Sequence, residues 1–542
     1  MERLQHRAWP PGRPFDVPLP EATLYENLAR HAAERPDKPA ILCQEQLVTY
    51  AALHQSVEQM AGYLQQICGV QPGVHIGLYG QNCPEYAMAY YAILRAQAVV
   101  VPINPMNMAD EVDKIIEDAG VHVVFAASDL LDNLRHGRAA GLLRHVITLG
   151  EGAAVTEMDS AEVTSWSLAI AAGQRPAPYT GAVSDLAAMP YTSGSTGRGK
   201  GCCHSHSSIQ HSARCVYDWF GFTGEDVFLA VAPMFHVVGM QCGLNTPIAL
   251  GATLVILPRW DREIAANLIR DHKITVWPTV PTMVIDLLNN PSLSAAHLTS
   301  LHTIFGGGSA MPEAVAAKLL ELTGLSFLEG YGMTESMGPT TANPVQAPLA
   351  RCGGLPLFNT DIAIVDPDSL ALLPPGEIGE VLIAGPQVMQ GYWNNPEADA
   401  ESFVTLEGQS FLRSGDLGRV DEQGYLFLVD RIKRMINASG YKVWPTEVES
   451  MLYRHPDIDE ACVIASKDPY RGETVKAVIV LRPGASEDPK ALQAWAHDHM
   501  AAYKVPRLYE FTPALPKSGT GKVLWRELQE AELRNSESET TP

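Results

Sequence analysis

The chain has 542 residues, 46% of them hydrophobic and 18% charged, with a formal net charge of -22. One hydrophobic core does not organise that length, so at least two domains are expected, and the composition excludes a disordered chain. The acidic balance argues against general affinity for nucleic acid or anionic membrane, because both need a cationic surface.

The opening "MERLQHRAWPPGRPF" has no apolar run followed by a cleavage site, so no secretory signal is expected. Nine scattered cysteines without repeated spacing read as reduced thiols and point to a cytoplasmic protein. "LYENLARHAAERP" has apolar residues at helical spacing and stops at Pro36. "VHIGLYG" (74–80) predicts a strand, "PEYAMAYYAILRAQ" a helix opened by proline, and "AVVVPIN" another strand. Strand, helix and strand at this spacing signal α/β layers with parallel pairing.

No Asp, Glu, Lys or Arg occurs from Val227 to Pro258, a run long enough to span a bilayer. Its Pro233, His236, Gln241, Asn245 and Pro247, and its β-branched end "ATLVIL", favour a buried strand, helix and strand over a membrane helix. The α/β pattern resumes at "TLVIL" (253–257), "KITVWPTVP" (273–281) and "LHTIFGGG" (301–308).

Between 351 and 430 short strands and turns predict a smaller β-rich subdomain. Beyond Arg431 a helix over 445–454 and the strands "DEACVIAS" and "KAVIVLRP" make a compact α+β unit. The expected organisation is therefore α/β: a large multi-sheet N-terminal domain over 1–430, and a small C-terminal domain over 434–542. The boundary falls near 431–434.

"YTSGSTGRGKG" (191–201) nearly spells the nucleotide-binding P-loop, but Gly201 stands where that loop has a magnesium-binding Ser or Thr. In a P-loop the helix begins at the Lys-Ser/Thr pair. Here Ser207 is the expected N-cap, and Ile209, Ala213, Val216, Tyr217 and Phe220 form the apolar stripe of a later helix. The loop then hangs between two strands. Gly194 and Gly197 let several amides turn inward, Thr192, Ser193, Ser195 and Thr196 add donors, and Lys200 adds charge. Taken alone, the segment stands equally as a phosphate cradle and as a polar surface turn. Cys202, Cys203, His204 and His206 offer metal-ligand chemistry. In an extended segment, however, they fall on opposite faces, and no second ligand pair follows at zinc spacing, so core packing is the better reading.

Four further motifs follow in order: "EGYGMTES" (329–336), "RSGDLG" (413–418), "DRIKRMINASGYKVWPTEVE" (430–449) and "PKSGTGKVLWREL" (516–528). With 191–201 they resemble the adenylate-forming superfamily, which contains acyl- and aryl-CoA synthetases, peptide-synthetase adenylation domains and beetle luciferases. The resemblance runs from about Leu24 to Leu528. It implies ATP and CoA as co-substrates, Mg2+, and a C-terminal domain that rotates between two half-reactions.

On that resemblance the loop, with Thr192, Ser193, Gly194, Ser195, Thr196, Gly197 and Lys200, holds the β- and γ-phosphates of ATP. Tyr331 and Gly332 with Gly307, Gly308 and Ser309 hold adenine, and Asp416 and Arg431 hold the ribose. Thr334 bonds the α-phosphate and Glu335 binds Mg2+, which removes the need for a hydroxyl at 201. Lys522 reaches the α-phosphate and the substrate carboxylate during adenylation. Lys433 matches the hinge, and Gly440 opens a path for pantetheine. One departure stands out: relatives read T-G-x-P-K-G, and Gly199 replaces the proline that would fix the backbone before Lys200.

Within the superfamily, amino-acid-activating domains carry an Asp where this chain has His236, and luciferases a Lys where it has Asn437. Acid–CoA ligase remains, with His236 resembling the acyl-pocket gate. Intact Thr334, Glu335, Asp416, Arg431 and Lys522 argue against a degenerate nucleotide binder. His236, Met240, Val280, Gly308, Met333 and Gly338 are the expected acyl-pocket positions. Being mostly apolar, they suggest a medium- or long-chain fatty acid. An aryl acid, or loading of a separate acyl-carrier protein, is the alternative, and a homodimer is left open.

Overall fold

The computed structural model describes residues 7–135, 141–150, 162–192, 199–438, 441–468, 472–517 and 523–538. Ser193, Gly194, Ser195, Thr196, Gly197, Gly440 and Lys522 lie outside the described residues, as does the side chain of Lys433. The chain forms two units, one comprising Met1–Asp361, Ile383–Leu412 and Gln423–Tyr425, the other Ile362–Leu382, Arg413–Glu422 and Leu426–Pro542. The smaller unit holds the stretch beyond Leu426 together with parts of 351–430.

In the larger unit, local chemistry sets the helix starts. Thr23 and Glu26 form a reciprocal capping box at the helix Leu24–Glu34, which satisfies two otherwise orphaned amides. Pro84 occupies the first turn of Pro84–Arg95, where a missing N–H costs nothing. Two largely parallel sheets follow from the β-branched runs. One orders its strands His204–Ser205, Leu186–Ala188, Val99–Ile103, His75–Tyr79, Val123–Ala127, His145–Leu149 and Glu162–Ser165. Its Val99, Val100, Val101 and Ile103 are buried, as strands covered on both faces require.

The second sheet runs Leu355–Pro356, Gly338–Ala342, Phe327–Met333, Thr303–Gly306, Val276–Thr279, Val227–Ala230, Thr253–Ile256, Pro39–Cys43 and Gln46–Thr49. The five strands from Phe327–Met333 to Thr253–Ile256 pair in parallel. Their carboxyl ends lie along one edge, the edge where open α/β sheets bind ligands.

The uncharged run forms the strand Val227–Ala230, a π-helical segment Gly239–Asn245, the short helix Thr246–Leu250 and the strand Thr253–Ile256. Among the described residues no helix is long and apolar enough to cross a membrane. The π segment opens on a position that only glycine fits: a Cβ at Gly239 would overlap the carbonyl oxygens of Ala232 and Pro233.

In the smaller unit, Tyr441–Val443, Ile436–Ala438, Gly472–Leu481 and Ile458–Asp468 form an antiparallel sheet, and Leu508–Phe511 joins it in parallel. The helices Pro445–Leu452 and Pro489–His499 pack Val448, Leu452 and Leu492 into its core.

Candidate functional site

The expected site residues of the larger unit gather along the carboxyl edge of the second sheet. Val280 follows the strand ending at Thr279, Gly307 to Ser309 follow the strand ending at Gly306, and 331–338 turn back from the strand Phe327–Met333. Gly307 is needed for close approach, because a Cβ there would overlap the Gly330 carbonyl oxygen. Gly308 has φ +88° and open space around it, while Ser309 is exposed. Gly332 closes the hairpin in the same way, against the Gly338 carbonyl. Tyr331 is 8% exposed, and its carbonyl accepts the Thr340 hydroxyl at 3.1 Å.

Beyond Met333 the chain makes a short 3-10 turn, Thr334–Ser336. The Ser336 hydroxyl accepts from Met333 N at 3.1 Å and donates to the Gly338 carbonyl at 2.9 Å. His204 braces the turn from outside, with Nε2 2.8 Å from the Thr334 carbonyl. Burial keeps His204 neutral by lowering its pKa to about 4, so Nε2–H is the donor and the carbonyl accepts. The buried Glu335 carboxylate accepts the Tyr392 hydroxyl at 2.8 Å, and its backbone carbonyl accepts Met389 N at 2.8 Å.

The 191–201 segment is a hairpin at its base: Tyr191–Thr192 pairs with Lys200–Gly201 in antiparallel fashion. Thr192 Oγ1 is buried without a hydrogen-bond partner among the described residues, an orphan polar atom at the mouth of the loop. Lys200 Nζ sits 4.2 Å from the centroid of the Tyr392 ring.

The chain then runs along 389–393 through Cys203 N to Gly391 O (3.0 Å), Gln390 N to Cys203 O (2.9 Å) and Trp393 N to Gly201 O (2.8 Å). Cys202 and Cys203 are therefore structural, their thiols pushed up first by burial. Among the described residues no group of three or more His, Cys, Asp or Glu gathers to hold a metal.

The following helix, His206–Phe220, is capped by Ser205, which accepts from Ser208 N at 3.2 Å, and not by Ser207 as the sequence suggested. The reason is tertiary. His206 N donates to Asp185 O and Ser207 N to Val183 O, so the orphan amides of the first turn are satisfied by a neighbouring loop.

Of the expected pocket positions, His236 lies in the turn before the π segment, and its Nδ1 accepts from Val238 N at 3.4 Å. Met240 is fully buried with Met234, Val237 and Leu244 in the core. Gly338 has φ +103°, and a Cβ there would stand 3.4 Å from Gln241 Cγ. Behind it the Gln241 amide donates to the Ile209 carbonyl at 2.9 Å.

In the smaller unit, Asp416 and Arg431 lie directly opposite each other on paired strands, with Arg431 Nε 2.9 Å from Asp416 Oδ1. Lys433 lies on the 3-10 turn Ile432–Arg434. Two buried acids hold the chain around that turn. Asp430 accepts Arg431 N at 2.7 Å and Thr446 N at 2.8 Å, and Glu449 pairs with Arg434 at 2.5 Å.

Residues 28–393 match the model of the AMP-binding enzyme family, and residues 447–522 match its C-terminal domain. The chain belongs to the AMP-binding enzyme family, within the adenylate-forming superfamily, and is an AMP-forming acid–CoA ligase. It is 33% identical to a long-chain-fatty-acid–CoA ligase of Bacillus subtilis, over 97% of this chain and 98% of that one. It is also 33% identical to a feruloyl-CoA synthase of an Amycolatopsis species, over 92% and 97%. The structure of ATP-bound MatB from Rhodopseudomonas palustris superposes with a TM-score of 0.84 at 27% identity, covering 94% of this chain and 99% of that one.

Proposed function

We propose that this ligase activates a medium- or long-chain fatty acid to an acyl-adenylate and passes the acyl group to CoA, releasing pyrophosphate and AMP. The carrying observation is the set of strand ends on the larger unit. His236, Met240, Val280, Met333 and Gly338 carry no cation for a second carboxylate, and Gly308 and Gly338 occupy little volume. A monocarboxylic acid with an apolar tail suits such a lining. The similarity to a long-chain-fatty-acid ligase supports the same reading, and the similarity to a feruloyl-CoA synthase supports an aryl acid as the second.

In this reading Lys200 and the orphan Thr192 Oγ1 face the phosphates, joined by Ser193, Gly194, Ser195, Thr196 and Gly197 of the loop. Gly307, Gly308, Ser309, Tyr331 and Gly332 flank the adenine. Thr334, its backbone fixed by His204, bonds the α-phosphate. Asp416 and Arg431 bind the ribose, an assignment resting on the resemblance, as do the hinge at Lys433, the pantetheine path at Gly440 and the reach of Lys522.

A buried hard carboxylate with one oxygen already hydrogen-bonded fits Mg2+, which takes one or two carboxylates and fills its remaining sites with phosphate and water. Bound at Glu335, the ion would offset the phosphate charge as the acid's carboxylate approaches the α-phosphorus. Lys522 and Lys200 offset the same repulsion from the protein side.

The test is an AMP-release assay with CoA, run across fatty acids of graded length and across benzoates and cinnamates. Selectivity rising with chain length is expected. Preference for the aryl acids overturns the substrate assignment, and thioester formed only on a carrier protein overturns the acceptor. Lys522→Ala is expected to abolish adenylation while thioester formation from supplied acyl-adenylate survives; equal loss of both steps refutes the two-state assignment.

A further inference from the structure

The site contains one side chain that touches both of its charged ends. Tyr392 follows the strand Gly379–Ala384 and is 7% exposed. Its hydroxyl lies 2.8 Å from Glu335 Oε1, and the Lys200 ammonium stands 4.2 Å from the centroid of its ring. Burial first, and then the Glu335 charge, push the phenol's pKa up, so the hydroxyl keeps its proton and the carboxylate accepts.

The tyrosine is itself anchored. Its amide donates to Asp399 Oδ1 at 2.7 Å, it forms a β-bridge with Cys202 just past the lysine's strand, and Met389 N holds the Glu335 carbonyl at 2.8 Å. Glu335 thus has one oxygen committed to a fixed donor and one lone-pair set directed elsewhere. Lys200 has its ammonium beside the negative π face of the ring, which is no competing hydrogen-bond acceptor of the carboxylate kind. A flexible lysine and a two-fold carboxylate each gain one preferred orientation from the same rigid ring.

We propose that Tyr392 is a positioning residue for nucleotide binding, orienting Glu335 toward the metal through its hydroxyl and Lys200 toward the phosphates through its ring. The proposal rests on the reading of Glu335 as the metal carboxylate and of Lys200 as a phosphate contact. The two interactions separate by chemistry: Tyr392→Phe removes the hydroxyl and keeps the ring, whereas Tyr392→Leu removes both.

The experiment is calorimetric titration of the full chain with ATP, without acid so that no turnover occurs, at graded Mg2+ from none to saturating. Glu335→Gln is measured alongside. In Tyr392→Phe the Mg2+ concentration that gives half of the affinity gain is expected to rise about tenfold, with ATP affinity in Mg2+-free buffer within twofold of the parent. In Tyr392→Leu the Mg2+-free affinity is expected to fall several-fold as well.

A magnesium response in Tyr392→Phe equal to the parent's, while Glu335→Gln shifts it, overturns the role of Tyr392 alone. A response unchanged in Glu335→Gln removes the metal reading of Glu335, and the inference with it. Equal effects of the phenylalanine and leucine variants overturn the part assigned to the ring. Should the leucine variant not fold, the phenylalanine variant decides, because it conserves the ring's volume and packing.

Discussion

Acidification is expected to unfold the larger unit through three buried histidines. His204, His206 and His211 are 0%, 2% and 0% exposed, and burial lowers each pKa from 6.5 to about 4. His204 and His211 each face a backbone carbonyl, of Thr334 and Phe358, a contact that favours the proton but is outweighed by burial; His206 is held neutral by geometry as well, its Nδ1 accepting Leu24 N at 3.3 Å. A proton on that Nδ1 would oppose an amide proton.

The folded values lie below the unfolded ones, so in the window from pH 6.5 to 4 the unfolded chain binds more protons. This contribution is complete above pH 6.5 and is lost as pH falls toward 4. Glu329 acts in the opposite sense. Burial raises its carboxyl to about 7, so its contribution is present at low pH and is lost as pH rises from its ordinary 4.5 to 7. From these four groups alone, near pH 5.3 three protons taken up on unfolding, less one released, leave about two, or roughly 2.5 kcal/mol of stability per pH unit, and His31, His54 and His75, lowered by burial too, add in the same sense.

Urea unfolding of the larger unit, followed at the buried Trp219 at half-unit steps of pH, measures that slope. His206→Asn keeps an acceptor for Leu24 N without titrating, and is expected to lower the slope by about 1.2 kcal/mol per pH unit. A stability profile flat from pH 6.5 to 4.5, or a slope unchanged in His206→Asn, refutes the reasoning.

Adjacent glycines are expected to differ. Gly307→Ala drives a methyl into the Gly330 carbonyl, so overpacking of about 1–3 kcal/mol and at least tenfold weaker AMP binding should follow. Gly308→Ala meets only the left-handed backbone penalty of about 1–2 kcal/mol, with AMP affinity nearly retained; thermal unfolding and AMP calorimetry on both variants check the contrast. In the smaller unit Glu380 is 2% exposed, pairs with Arg413 at 2.6 Å and accepts Gly415 N at 3.3 Å. Glu380→Ala leaves the Gly415 amide without that acceptor and the guanidinium with only the Pro367 carbonyl, and should cost that unit about 2 kcal/mol, read as earlier melting or faster proteolysis of its segments.

Periodicity was enough to find the strands at Thr253–Ile256, Val276–Thr279 and Thr303–Gly306, because a buried parallel strand writes a continuous apolar run into the chain. Residues 307–309 and 331–338 were singled out for a different reason, their resemblance to a family motif; the structure adds a backbone reason for two of them, since a Cβ on Gly307 or Gly332 would overlap a carbonyl oxygen. The start of the helix at Ser205 was not legible. Ser205 and Ser207 are chemically equivalent caps, and the choice between them is made by carbonyls of residues 183 and 185.

The π turns at Gly239–Asn245 were hidden likewise: apolar spacing marks a helix there and does not distinguish π from α turns. Tyr392 left no signal at all. It meets Glu335 across 57 residues of sequence, within a "GYW" that reads locally as a strand exit. Local chemistry is written in the order of residues; partnership at that range is written only in the fold.

The strand ends of the second sheet divide their tasks. The loops after Thr279 and Ala230 carry Val280 and His236, whereas Thr334 and Glu335, the proposed phosphate and metal contacts, lie on the turn that ends Phe327–Met333, locked by Ser336, His204 and Tyr392. Each loop hangs from its own strand, and the β-ladder is indifferent to what its side chains look like. On the reading of His236 and Val280 as acyl-pocket positions, the acid can be changed at the first two loops while the third is left as it is. A single scaffold of this kind is a chassis on which new acid specificities can be tried without rebuilding the engine.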